Sequence, residues 1–302
     1  MAEQKQLIKV LKLGLKIAFS AAAIYYIVSQ LDMQQVGSSI ATVKPIYVFI
    51  AMLLYGVSQL ASAYRLNTLF KSLPLKIAYK ANIKLYWLGM FYNFFLPGGV
   101  GGDGYKVYYL RKKYKLAVKE LIGVVLADRV SGLSIILVYI FGLVYFIEYD
   151  LPYKGWFFLL IPFVSVGYYL FLWLFNRKMT KAFLPVSLWS LLVQGIQMLA
   201  VMCLLMGMGA QVDGYWDDYM FLFFLSTIAS AVPITLGGIG AREFTFMQGA
   251  IYLSINKEQA VAISVLFYLN SLICSLPGIY YAIRTNRIFA DEEVDAENTD
   301  TV

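Results

Sequence analysis

Few ionisable side chains interrupt the long apolar runs of this chain, and most of those that do lie beside glycines. Asp103 and Lys106 fall in and just after the break of "NFFLPGGVGGDGYK"; Asp128 and Arg129 lie within "VLADRVSGL"; Arg242 and Glu243 close "VPITLGGIGAREF"; Arg65 ends an apolar run. Cations beside glycine turns suit an anion. Glycine allows close approach to the backbone. The amides of Gly101, Gly102 and Gly238, and the positive end of the helix after each turn, suit a phosphate. Asp103, Asp128 and Glu243 would then balance the cations or exchange protons.

Each of these residues has a plainer reading. Asp103 can cap the helix that follows it. Asp128 and Arg129 point about 100° apart on a helix of 3.6 residues per turn, so each would pair with a different helix. Arg242 and Glu243 can lie hydrated near a surface, and Arg65 can snorkel to the membrane interface. Asn93, Gln194, Gln197 and Asn270 can line a polar path or bond between helices. The tyrosines read as interfacial and packing residues.

Other chemistries find no residues. The chain has no His, which removes His-based triads and the commonest transition-metal ligand. Cys203 and Cys274 both lie in apolar runs and read as neither a disulfide nor a redox pair. "GGVGGDG" has no preceding strand and no downstream acid, so it is not a dinucleotide fingerprint. A Gly-x-Ser-x-Gly elbow is absent. No cofactor, metal or catalytic residue is expected.

The elements that must position the charged residues are membrane helices. Of the 302 residues, 60% are hydrophobic and 14% charged, with a mean hydropathy of +0.68. A soluble domain carries about 25% charged residues. The fold class expected is an all-α polytopic membrane protein. Six apolar runs, roughly 11–31, 45–64, 120–147, 155–175, 182–208 and 259–283, reach the length that crosses about 30 Å of hydrocarbon. The first has no small-residue cleavage site and reads as a retained span rather than a signal peptide. The acidic tail, 289–302, reads as disordered. The net charge of +7 is concentrated at the ends of apolar runs, as topology signals are, and not in a nucleic-acid patch.

Lys/Arg-rich loops mark the cytoplasmic side. The segments 65–84 and 105–119 are both basic, so the run between them, roughly 80–105, enters and returns on one side as a re-entrant hairpin. By the same count 219–256 is a second hairpin, dipping from the opposite face, and both termini are cytoplasmic. "GGVGGD" at Gly98 and "GGIGAR" at Gly237 are 139 residues apart. That single offset also carries the first three spans onto the last three. The chain therefore reads as an inverted repeat, 1–147 and 148–288, a plan common among secondary transporters.

Taken in order, "NFFLPGGVGGDGYK", "VLADRVSGL" and "VPITLGGIGAREF" resemble the lysylphosphatidylglycerol synthase transmembrane-region family, the flippase-like domain. The resemblance covers nearly the whole chain before the acidic tail. Two positions depart from the family pattern while keeping charge: Lys106 stands where Arg is usual, and Asp128 where Glu is usual. Lysine lacks the bidentate fork with which arginine grips phosphate. The resemblance implies lipid translocation: a flippase in the inner (plasma) membrane moving an anionic or polyprenyl-phosphate lipid between leaflets. A homodimer is among the assemblies this plan allows. A membrane enzyme or enzyme subunit in lipid or glycan assembly, and a secondary transporter of a small anion, are the alternatives.

Overall fold

The computed structural model describes residues 14, 17, 18, 20–75, 77–95, 101–147, 149, 151–209, 215–232 and 238–290. The start of the first span, residues 96–100 and 233–237 of the two glycine-rich stretches, and the tail from 291 lie outside the described residues. All regular structure among the described residues is helical.

The helices are α1 (20–30), α2 (Met33–Ala41), α3 (Pro45–Phe70), α4 (Tyr79–Phe95), α5 (Gly101–Tyr114), α6 (Val118–Leu143), α7 (Leu160–Phe175), α8 (Phe183–Gly207), α9 (Trp216–Ala231), α10 (Ala241–Tyr252), α11 (Lys257–Ser275) and α12 (Gly278–Ile283). Among the described residues, five helical segments are long and apolar enough to span a membrane: Pro45–Phe70, Val118–Leu143, Lys154–Phe175, Arg177–Gly207 and Lys257–Ser275. They correspond to the last five expected spans. The protein is thus a multi-pass membrane protein. At about 1.5 Å per residue, the 26 residues of α3 or α6 extend about 39 Å, enough to cross with tilt.

Several boundaries differ from the sequence reading: α3 runs on to Phe70 rather than stopping at 64, and α6 ends at Leu143 rather than 147. The last span stops at Ser275 rather than running on to 283. Pro277 cannot continue the helix, having no N–H to donate. Trp87 Nε1 on α4 donates to the Cys274 carbonyl at 3.0 Å, occupying a carbonyl in the final turn of α11. The basic segment after the first glycine break is also not a loop. The α5 helix carries it as far as Tyr114, with Asp103 in its first turn and Arg111, Lys112 and Lys113 in its last. That order of charge follows the helix dipole.

The glycine-broken runs form two helix pairs, with α4 packed on α5 and α9 on α10. The most extensive helix contact among the described residues is between α3 and α8. Around them the packing is reciprocal: α3 meets α6 as α8 meets α11; α3 meets α11 as α8 meets α6; α3 meets α4 as α8 meets α9; and α4 meets α11 as α9 meets α6.

The core is two apolar clusters separated by a polar band. One cluster takes Ala51 from α3, Ile136, Ile140 and Leu143 from α6, and Ala200, Val201 and Leu204 from α8, with α9, α10 and the start of α11. The other takes Leu66, Leu69 and Phe70, Leu121 and Val124, and Val186 from the opposite ends of the same three helices, with α4. Between them lie buried Ser58, Gln59, Ser62 and Arg65 on α3, Asp128, Ser131 and Ser134 on α6, and Ser190 and Gln194 on α8. Ser58, Ser131 and Gln194 are each near the middle of their helix. The outside is apolar, most of all on α7, where Phe163 is 72% and Leu174 73% exposed.

Candidate functional site

The polar band begins with Arg65. A little over one turn from the end of α3, its guanidinium turns inward, and the residue is only 6% exposed. Nε donates to Asp128 Oδ1 at 2.8 Å and Nη2 to Asp128 Oδ2 at 3.1 Å, while Nη1 donates to Ser190 Oγ at 3.2 Å. Ser190 Oγ in turn donates to Ser131 Oγ at 3.2 Å. A bidentate fork with extra hydroxyl partners is the geometry that offsets burying two charges. Gly132 lies directly beside it, where a Cβ would be in van der Waals contact with Arg65 Nη1 at 3.4 Å. Arg65 therefore does not snorkel; it ties α3, α6 and α8 together.

Arg129, the next residue on α6, faces elsewhere. It pairs with Asp103 on α5, and Asp103 also forms an ion pair with Lys106 Nζ at 3.2 Å. The Lys106 side chain is 6% exposed, Asp103 15% and Arg129 34%, so the cluster opens outward through Arg129. Lys106 Nζ also lies 4.2 Å from the centre of the Tyr86 ring on α4, a cation–π contact. The Gly102 amide is already taken, donating to Asn93 Oδ1 at 2.9 Å. Gly101, the first residue of α5, precedes the point where Gly102 brings this helix against the Gly89 carbonyl.

At the second break Gly238 and Gly240 adopt φ of +86° and +87°, which glycine reaches without the usual side-chain penalty. Glu243 Oε2 accepts from the Gly240 amide at 2.7 Å, and Oε1 accepts from Ser264 Oγ at 3.3 Å. Its carboxylate is thus committed to starting α10 and holding it on α11. Arg242 points the other way. Its Nη2 donates to Ser230 Oγ at 3.4 Å and its guanidinium carbon lies 5.2 Å from the Phe267 ring centre. Its Nη1 is buried without a hydrogen-bond partner among the described residues.

Arg242 and Arg65 line one cavity of about 280 Å³, with walls from α3, α4, α6, α8, α9, α10 and α11. That is the volume of about nine waters. Gln194 and Gln197, read from the sequence as either path-lining or interhelical bonding residues, are in its wall; Gln197 Nε2 also donates to Ser58 Oγ on α3 at 3.3 Å, and Gln194 Oε1 is a buried acceptor without a partner among the described residues. The cavity therefore offers an unbonded donor and an unbonded acceptor in a wall of packed helices. Asp128 reaches it through Arg65. Asp103, Lys106 and Arg129 form a neighbouring cluster, joined to the cavity by Tyr86, which lines one and faces Lys106 in the other. Asn93 bonds to Gly102 instead of lining the cavity, and Asn270 is buried with its Nδ2 unbonded among the described residues.

Sequence reasoning did not single out Tyr55, Gln59, Ser62, Tyr86, Tyr268 and Ser271, all in the cavity wall. The tyrosines there are not interfacial. A signal was present on α3: Gln59, Ser62 and Arg65 recur every three residues, so one narrow face of an otherwise apolar helix is polar.

Residues 13–183 and 175–278 match the family model described as Lysylphosphatidylglycerol synthase TM region. No curated protein matches the chain. With the matched segments covering nearly all of the described helices, the chain belongs to the lysylphosphatidylglycerol synthase TM region family.

Proposed function

We propose that this protein carries an anionic lipid between the leaflets of the inner membrane, passing the head group through the cavity between Arg65 and Arg242 while the chains stay in the hydrocarbon. The observation that carries the reading is Arg242: a half-buried arginine in a polar cavity among membrane helices, whose Nη1 is buried and unbonded among the described residues. A buried cation left partly unsatisfied is costly, and a phosphate oxygen satisfies it. The family's link to a lipid synthase favours a lipid as the source of that phosphate.

The reciprocal packing of α3 with α8 and of their neighbours supports an inverted repeat, residues 1–147 and 148–288, in which α4–α5 and α9–α10 are opposed re-entrant hairpins. At 17 and 14 residues α4 and α5 are short for separate spans of about 20 residues. The two halves would rock about the cavity and expose it to each leaflet in turn. In that cycle the Arg65–Asp128 pair holds one wall of the cavity, and the Asp103–Lys106–Arg129 cluster closes the side near α5.

The test is leaflet exchange of fluorescent phosphatidylglycerol in liposomes containing the purified protein. The wild type should equilibrate the label and Arg242→Gln should slow it by about tenfold or more, the loss of one charge-assisted hydrogen bond. Exchange at the wild-type rate in Arg242→Gln would sink the proposal. A small soluble anion also fits the cavity volume. If inorganic phosphate uptake were lost in Arg242→Gln while lipid exchange never exceeded that of empty liposomes, the substrate would be the soluble ion.

A further inference from the structure

Tyr268 on α11 faces two spaces. On one side is the polar cavity, where its ring packs edge-on against Phe94 at 5.5 Å. On the other is a second cavity of about 250 Å³ between α1, α2, α10 and α11. Its lining is aliphatic apart from Tyr268 and Glu243, and the Glu243 carboxylate is already bonded to Gly240 and Ser264. The rim is open, with Ile24 43% and Val28 47% exposed on α1. The floor is closed, with Ile27 6% and Val261 3% exposed. The groove thus runs from the lipid-facing surface inward and ends on the residue that also bounds the polar cavity.

The first turn of α10 divides the two spaces. Arg242 is in the polar wall and Glu243, the next residue, is in the apolar one. A soluble anion has no use for an aliphatic groove that opens outward. An amphiphile matches both spaces, with its charge beside Arg242 and a hydrocarbon chain along α1 and α11. We infer that this groove seats one hydrocarbon chain of an anionic lipid whose head group occupies the polar cavity, with Tyr268 at the junction between head and chain.

The inference rests on the reading of the cavity as a lipid head-group site, and it adds which side of the molecule the lipid enters from. The groove positions the lipid more than it tightens binding. A chain leaving the bilayer for an aliphatic wall exchanges one apolar surface for another, so little hydrophobic driving force is available. What the groove supplies is orientation, fixing the phosphate against Arg242 as the chain is threaded past Tyr268.

The test is photo-crosslinking of the full chain in phosphatidylcholine nanodiscs, using phosphatidylglycerol with a diazirine at mid-chain and mapping adducts by mass spectrometry. Adducts should concentrate on residues 20–30 and on α11 near Val261 and Val265. Val28→Trp, which fills the mouth from an exposed position, should lower them by about tenfold. Leu174→Trp on the outer face of α7 should not. Adducts spread equally over α7, or groove adducts that survive Val28→Trp, would overturn the inference. The readout is position rather than transport, so the two readings fail separately. Leaflet exchange with no groove adducts removes the chain seat alone; groove adducts without exchange leave the seat and remove translocation.

Discussion

Asp128 and Arg129 are adjacent on α6 and bond to different helices. Asp128 accepts from Nε and Nη2 of Arg65 on α3, while Arg129 pairs with Asp103 on α5. One turn of α6 therefore fastens two neighbours, and the two fastenings differ in exposure. The Arg65–Asp128 side chains are 7% and 9% exposed, whereas Arg129 is 34% exposed.

Breaking the inner pair from one side should be expensive. Asp128→Ala leaves the Arg65 guanidinium buried without its counter-ion, a loss of about 3–5 kcal/mol for such pairs. Arg65→Met together with Asp128→Leu should recover most of that, because neither charge remains. Thermal unfolding in detergent checks the order. A double variant no more stable than Asp128→Ala would mean the pair does more than neutralise itself.

In the outer cluster the order should follow burial. Asp103→Asn strands Lys106, whose side chain is 6% exposed, and should lower the melting temperature clearly. Arg129→Gln removes a partly exposed partner whose charge solvent screens, and should lower it less. A reversed order would show that the Asp103 carboxylate needs Arg129 more than Lys106 needs the carboxylate.

The glycines of the first break should separate cleanly. A Cβ on Gly102 would run into the Gly89 carbonyl backbone. Gly102→Ala should therefore push α5 off α4 and cost about 1–3 kcal/mol. Gly104, two residues on in the same helix, has nothing within 4 Å of such a Cβ. Gly104→Ala should be neutral or stabilise by up to about 1 kcal/mol, the helix preference of alanine over glycine. Comparable melting temperatures for the two variants would mean the helices do not approach at Gly102.

At the second break, Glu243 and Gly240 act as one unit. Glu243→Gln keeps an acceptor for the Gly240 amide and should be mild, whereas Glu243→Ala loses the cap at about 1 kcal/mol. Gly240→Ala forces a side chain to φ +87°, a conformation that costs about 1–2 kcal/mol for residues with a Cβ. Equal stability of all three variants would show that α10 starts without this cap.

The proposed opposition of the two hairpins makes a topological prediction. Single cysteines at Lys113 and at Tyr252, the far ends of α5 and α10, should react with a membrane-impermeant maleimide from opposite faces of oriented vesicles. Labelling of both from the same face would rule out the inverted arrangement.

Hydropathy, proline and glycine act within a few residues of where they stand. The membrane environment, most span positions and the places where helices break were therefore legible in the chain alone. Three short motifs in order also marked the family. The placement of the charges needed the packed helices. Arg65 and Asp128 are 63 residues apart and Arg129 and Asp103 are 26 apart, and no local pattern states which helices meet. For that reason Arg65 reads more readily as an interfacial residue than as an inward one until α6 and α8 are packed against it. The glycine amides show the same limit. They look free in the sequence, and the fold gives the Gly102 amide to Asn93. Tyr55, Tyr86 and Tyr268 resemble the other tyrosines of a membrane chain, and only the convergence of α3, α4 and α11 turns them into the wall of a polar cavity.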